Sequence, residues 1–179
     1  MSWVAGVRGQ ALHLDGKSYL EISNAGELHS NRSFTWTAWI RTTQGGTILA
    51  RAGAGRKWEP GGKVLFVANG RLRFDVGWVG ATGAEAPVAD GAWHHVAVTA
   101  EAGGGGENVH CYVDGRISGS GSLEVKGSDE SGLPIRIGFC NEDFPRSQSA
   151  FIGDFDDVRW FTYALGPEAI QNLASERSQ

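Results

Sequence analysis

Apolar and polar residues alternate with a period of two through most of this chain, in short runs separated by Gly, Asn, Asp and Ser. That period places successive side chains on opposite faces of a strand. It predicts strands over 11–14, 19–22, 34–41, 47–51, 64–68, 71–76, 93–100, 108–114, 123–126, 135–139 and 151–161. The clearest case is 64–76. Asn69-Gly70 sits between two alternating runs, and a two-residue turn there needs φ > 0 at both positions. Such a turn pairs Ala68 with Arg71 and Val67 with Leu72. Leu65, Val67, Leu72, Phe74 and Val76 then share a core face. Phe66, Arg71, Arg73 and Asp75 share the other, mixed face. In 34–41, Phe34, Trp36, Ala38 and Ile40 point one way and Thr35, Thr37, Trp39 and Arg41 the other. The one helical signal is late, over 167–175, with Pro167 at the first helical position and Glu168 at the positive end of the dipole. About a dozen antiparallel strands and one late helix predict an all-β, two-sheet antiparallel jelly-roll sandwich with a short C-terminal helix, one domain over 1–179.

Composition agrees with that reading. Among 179 residues there are 27 Gly and 5 Pro, which suits short strands joined by tight turns. The Gly-rich stretch 103–106 reads as a flexible hairpin loop, and 175–179 as a frayed tail. The net charge of -4 gives no electrostatic reason to bind nucleic acid or an anionic membrane. No apolar run approaches the roughly 20 residues that span a bilayer. Residues 1–6 lack the charged start and apolar core of a signal peptide. Cys111 alternates as a small core residue and Cys140 ends an apolar run. They read as a disulfide or as two free thiols, and not as a metal or redox pair.

Seven Trp is a surplus for a core of this size. Trp36, Trp39, Trp93 and Trp160 lie in strands and are assigned to packing. Trp58 lies in a loop without strand pattern, and Trp78 lies at the end of a strand, in Gly77-Trp78-Val79-Gly80. Flat rings beside polar side chains suit sugar recognition, since pyranose C–H faces stack on them while hydroxyls take the polar groups. His94 and His95 are adjacent on a strand, point to opposite faces and cannot easily grip one ion. No pair of glutamates at even spacing on one strand, of the kind glycoside hydrolysis uses, occurs here. There is no phosphate loop or Ser-His-Asp signature, so the domain reads as non-catalytic.

Four motifs run in order along the chain: Asp90-Gly91-Ala92-Trp93-His94-His95-Val96-Ala97-Val98-Thr99, then Tyr112-Val113-Asp114-Gly115, then Gly153-Asp154-Phe155-Asp156-Asp157-Val158-Arg159, then Ala164-Leu165-Gly166-Pro167-Glu168-Ala169-Ile170. Together they resemble the laminin-G-like, concanavalin A-like jelly-roll family, which includes the pentraxins. The resemblance covers roughly 6–173. It implies a two-sheet sandwich used for holding ligands, in a larger extracellular or cell-surface protein. The segment 141–149 with the following Phe151-Ile152-Gly153-Asp154 resembles the pentraxin loop that supplies calcium ligands. Carried over on that resemblance, Asn141, Glu142, Asp143 and Gln148 offer oxygen ligands to Ca²⁺, which needs carboxylates and carbonyls. The loop is shorter than the pentraxin one, and 51–63 holds no counterpart of a second pentraxin ligand pair. Asp156 shares a face with Val158 and Trp160. A carboxylate there needs a calcium ion, an arginine or backbone N–H groups.

The resulting expectation is a carbohydrate-binding module for a glycan or polysaccharide, calcium-assisted at its loop. Trp58, Trp78, Arg71 and Arg73 form the contact face, and the loop from Asn141 to Gln148 forms the rim. The competing reading is an adhesion or protein-interaction module for a surface protein, or a spacer beside an enzyme. Fold alone does not separate these.

Overall fold

The computed structural model describes residues 1–53, 57–103, 108–125, 130, 132–146 and 149–176. Twelve antiparallel strands form two stacked sheets: β1 (Ser2–Ala5), β2 (Gln10–Asp15), β3 (Leu20–Ile22), β4 (Phe34–Arg51), β5 (Lys63–Ala68), β6 (Arg71–Val76), β7 (Gly80–Pro87), β8 (Trp93–Ala100), β9 (Val109–Val113), β10 (Arg116–Gly121), β11 (Ile135–Ile137) and β12 (Ile152–Phe161). The first sheet runs β1-β2-β12-β4-β8-β9-β10. The second runs β3-β11-β4-β5-β6-β7. This is the two-sheet jelly roll that the alternation predicts.

One strand serves both sheets. The sequence reads 34–41 and 47–51 as two strands, but β4 is continuous over 18 residues. Its first half pairs with β8 and β12, and its second half pairs with β5 and β11. The crossing falls at Gly45 and Gly46, with φ of +112° and +110°, a conformation open to glycine and to few other residues. There is no room for a side chain either: a Cβ on Gly46 would overlap the carbonyl oxygen of Ala150.

Between the sheets lies the main core, in which Phe34, Trp36, Ala38 and Ile40 meet Leu65, Leu72 and Phe74. The Asn69-Gly70 hairpin has the predicted register, with Ala68 opposite Arg71 and Val67 opposite Leu72, and positive φ at both turn residues. The outer face of the first sheet is capped by α1 (Pro167–Ser175), whose Ile170 packs on Ala97 and Tyr112. Cys111 and Cys140 are free thiols in different clusters, and burial pushes both up to about 12.

The surroundings of Ser30 and of Glu130 are tied down by buried charge. Arg51, Lys63 and Glu130 are each at most 3% exposed. The Lys63 ammonium donates to Glu130 Oε1 at 2.9 Å, while Ser30 donates its N–H and its hydroxyl to the same carboxylate at 2.7 and 2.6 Å. Arg51 donates to the carbonyls of Ala25, Leu28 and Glu130. The charges add to the backbone bonds near them, such as Leu28 N–H to Ala25 O and Leu133 N–H to Glu130 O.

The sequence overlooks β1, β7 and β10, and it assigns a strand to 123–126 that does not form over Leu123 to Val125. There the side chain of Asn108 stands in for a ladder: it donates to Leu123 O at 2.8 Å and accepts from Leu123 N–H at 2.9 Å. Residues 104–106 of the Gly-rich loop and 177–179 of the tail lie outside the described residues.

Candidate functional site

The two tryptophans singled out by the sequence come together. A hollow of about 520 Å³ on the outer side of the second sheet is lined by Trp58, Trp78, Asp75, Phe144, Asp143 and Arg146, with Val76, Val79 and Gly80. Its volume lies in the range of small-molecule sites. Three segments build it: the loop before β5, the turn from β6 to β7, and the loop after Cys140.

Trp58 is fixed on every side. Its backbone N–H donates to Asp143 Oδ1 at 2.7 Å, and its indole N–H donates to Asp75 Oδ1 at 3.2 Å. Its ring stacks on Phe144, with centroids 4.8 Å apart and planes at 11°. Phe144 in turn meets Phe66 edge-on. The predicted mixed face of β6 is therefore partly apolar and covered: Phe66, Val64, Ala50 and Cys140 form a second cluster beneath Trp58 and Phe144.

Trp78 is the opposite case. It is 81% exposed. It occupies the third position of the turn 76–79, closed by a bond from Val79 N–H to Val76 O at 2.9 Å, and its φ is +63°. That is the geometry of a type II turn, whose third position favours Gly or Asn. A large aromatic there is strained and gains nothing from burial. The preceding Gly77 locks this turn to the Trp58 loop. Gly77 N–H donates to Gly62 O at 2.8 Å, and Gly61 N–H donates to Gly77 O at 2.9 Å. A Cβ on Gly77 would collide with the carbonyl oxygen of Glu59. Both rings are thus held on one connected backbone unit.

Asp75 supplies the polar group of the floor. Burial pushes its carboxyl above the ordinary carboxylate range, and the Trp58 indole N–H draws it part of the way back. Sequence reasoning places Asp75 on the right face but misses it as a site residue. Phe144 and Arg146 come from the loop 141–148 that the sequence places at the rim, without being singled out there. The even spacing of Asp75 to Arg73 on an outer face, next to Gly77-Trp78, is the signal that could have found Asp75.

The other candidates lie elsewhere. Arg71 is exposed and donates to Glu85 O at 2.8 Å, and Arg73 lies over Gly83 of β7; neither lines the hollow. The described calcium candidates lie on two elements, the loop 141–143 and the strand β12. Asn141 is buried, with Oδ1 accepting the Phe144 N–H at 2.8 Å. Glu142 and Asp143 are exposed on the same loop. Asp156 sits on the first sheet, where Oδ2 accepts the Arg8 N–H at 2.7 Å and Oδ1 the Asp157 N–H at 2.8 Å. The backbone N–H partners named for Asp156 from sequence are the ones present. Gln148 lies outside the described residues. Among the described residues no group of three His, Cys, Asp or Glu is placed to hold a metal.

His94 and His95 take different surroundings, as adjacent strand residues do. His94 lies against Asp114 and Asp90 at 2.9 and 3.1 Å. Partial burial opposes its protonation, but the two carboxylates outweigh that and raise it. His95 is 2% exposed with its ring edge-on to Trp39, and burial lowers it to about 4 from 6.5. The unfolded chain therefore takes up a proton near pH 6.5 that the native state refuses until pH 4. Stability is fully present above pH 6.5 and falls as pH drops through that window, by about 3 kcal/mol at 1.36 kcal/mol per unit. His94, with a raised value, contributes in the opposite sense. Urea midpoints between pH 4 and 7 are expected to fall steeply with acid in the native protein and less steeply in His95→Gln. An equal slope in both would show that His95 is not the group responsible.

Sandwich and hollow together define a lectin-like jelly-roll domain with a loop-borne aromatic site. The chain belongs to the Laminin_G_3 family of the concanavalin A-like lectin/glucanases superfamily, which matches residues 14–171. It is 34% identical over 93 residues to rat "Sushi, von Willebrand factor type A, EGF and pentraxin domain-containing protein 1". That match covers 49% of this chain and 2% of that protein, so the chain spans a small part of its relative's length. Its fold is similar to the CBM40 module of the Ruminococcus gnavus IT-sialidase, seen bound to α2,3 sialyllactose. The TM-score is 0.75 and the identity 12%, over 92% of this chain and 96% of that one. It is also similar to domain 4 of AbnA, a GH43 extracellular arabinanase of Geobacillus stearothermophilus, in complex with arabinotriose. Here the TM-score is 0.65 and the identity 18%, over 97% and 81%. At such identities the likeness establishes the fold. No helix among the described residues is long and apolar enough to cross a membrane.

Proposed function

We propose that this domain is a non-catalytic carbohydrate-binding module acting outside the cell within a larger protein, and that the hollow between Trp58 and Trp78 is its glycan site. One observation carries the reading: Trp78 stays solvent-exposed on a strained left-handed backbone, facing a hollow whose other wall is a clamped Trp58. Strain kept at an exposed position points to use. Both pocket aspartates spend an oxygen on holding Trp58, a positioning role rather than a catalytic one.

The test is a glycan and polysaccharide screen of the protein and of Trp78→Ala, each with excess Ca²⁺ and with chelator. Loss of one central aromatic contact is expected to weaken binding about tenfold to a hundredfold. Trp78→Asn, whose side chain tolerates φ > 0, is expected to lose the same affinity while melting no earlier and gaining up to about 1 kcal/mol. Full binding by Trp78→Ala would move the site elsewhere. Binding that vanishes with chelator would assign it to an ion on the loop of Asn141, Glu142 and Asp143. Failure of every glycan would favour the protein-interaction reading.

A further inference from the structure

Resting on the sugar-binding reading of the hollow, we infer that the site selects neutral glycans and turns away acidic ones, with Asp75 as the residue that sets the choice. Asp75 stands on the outer face of β6 at the floor of the hollow, half-buried, between two aromatic walls. Among the described residues the Trp58 indole N–H is its one hydrogen bond. Asp75 also lines the hollow, so its remaining acceptor capacity is available to a ligand there. A carboxylate there accepts and does not donate, so its complement is a group rich in O–H donors, such as a vicinal diol of a hexose or pentose. Against the stacking face of Trp78, such a diol can be read in one fixed orientation.

The same arrangement opposes a sugar carboxylate. Asp75 already lies in a desolvating environment, and a second anion beside it is left without a counter-charge. Asp143, on the lip, adds another negative group. Among the described lining residues the cation is Arg146, exposed on the same loop as Asp143, so solvent screens both and each offsets the other at the lip. What remains is the half-buried Asp75 carboxylate at the floor, which prefers uncharged ligands. This separates the hollow from the fold neighbour that holds an acidic sugar, sialyllactose.

The experiment compares paired probes on the wild-type protein: lactose with sialyllactose, and galactan with polygalacturonate, at low and high salt. Neutral probes are expected to bind at least tenfold more tightly, with the gap narrowing at high salt. Asp75→Asn keeps an oxygen for the Trp58 indole N–H, so the wall stays in place. It is expected to bind neutral probes about tenfold more weakly and to narrow the gap between classes, with an unchanged melting temperature. Acidic probes that bind as well as neutral ones in the wild type, and lose binding in Trp78→Ala, would overturn the selectivity while leaving the sugar site standing. Wild-type protein that retains neither class would overturn both.

Discussion

Glu130→Ala is expected to destabilise the domain by about 3–5 kcal/mol, enough to unfold a marginal sandwich at 37 °C. The carboxylate stands between two cations that are themselves buried: the Lys63 ammonium at 2.9 Å and the Arg51 guanidinium at 3.8 Å. It also accepts both donors of Ser30. Burial opposes its ionisation, but Lys63 and Ser30 outweigh burial and hold it below the usual carboxylate range. Burial likewise lowers Lys63, with Glu130 opposing the shift. Alanine removes the one anion and leaves two desolvated cations and a buried hydroxyl. Lys63→Met together with Glu130→Gln is expected to cost much less, since it removes charge from both sides. Chemical denaturation of the single and double variants decides the matter. A single-variant loss below about 1 kcal/mol would mean that water reaches the triad and that the segments of Ser30 and Glu130 are held by other contacts.

Gly46→Ala is expected to match that effect. The strand crosses between sheets there at φ of +110°, and a methyl group would overlap Ala150 O and crowd Phe151 Cα. Left-handed strain alone costs about 1–3 kcal/mol, and overpacking adds a similar amount. The neighbouring bond from Thr47 N–H to Ser149 O would open as well. Gly70→Ala is the control: its φ is +74°, but no atom lies within 4 Å of an added Cβ, so it should lose about 1 kcal/mol. Thermal unfolding of the two variants separates strain from collision. Equal losses would show that the crossing relaxes at little cost.

The legible elements are those rich in apolar and β-branched residues. β6 alternates because one side meets the core, β5 and β8 read as apolar runs buried on both faces, and Asn69-Gly70 names its own turn. β7 was not legible, because Gly80–Pro87 is made of small residues. The physical reason is proximity: at Gly119 of β10 a Cβ would strike the carbonyl of Gly83 of β7, so the two strands approach backbone to backbone and leave no room for an apolar pattern. The site was half legible. Trp58 and Trp78 stood out as aromatics without a strand to pack in. Phe144 and Asp75 did not, because what gives each its role is contact with Trp58, and contacts between segments leave no periodic trace.

The two thiols carry a practical consequence. Cys111 and Cys140 are sealed in clusters on different sides of the second sheet, neither paired nor ionised near neutral pH. Two thiols that can neither find each other nor form a thiolate give the fold no disulfide to depend on. The same native state should form in reducing and oxidising media, so material made in a reducing host is usable without oxidative refolding.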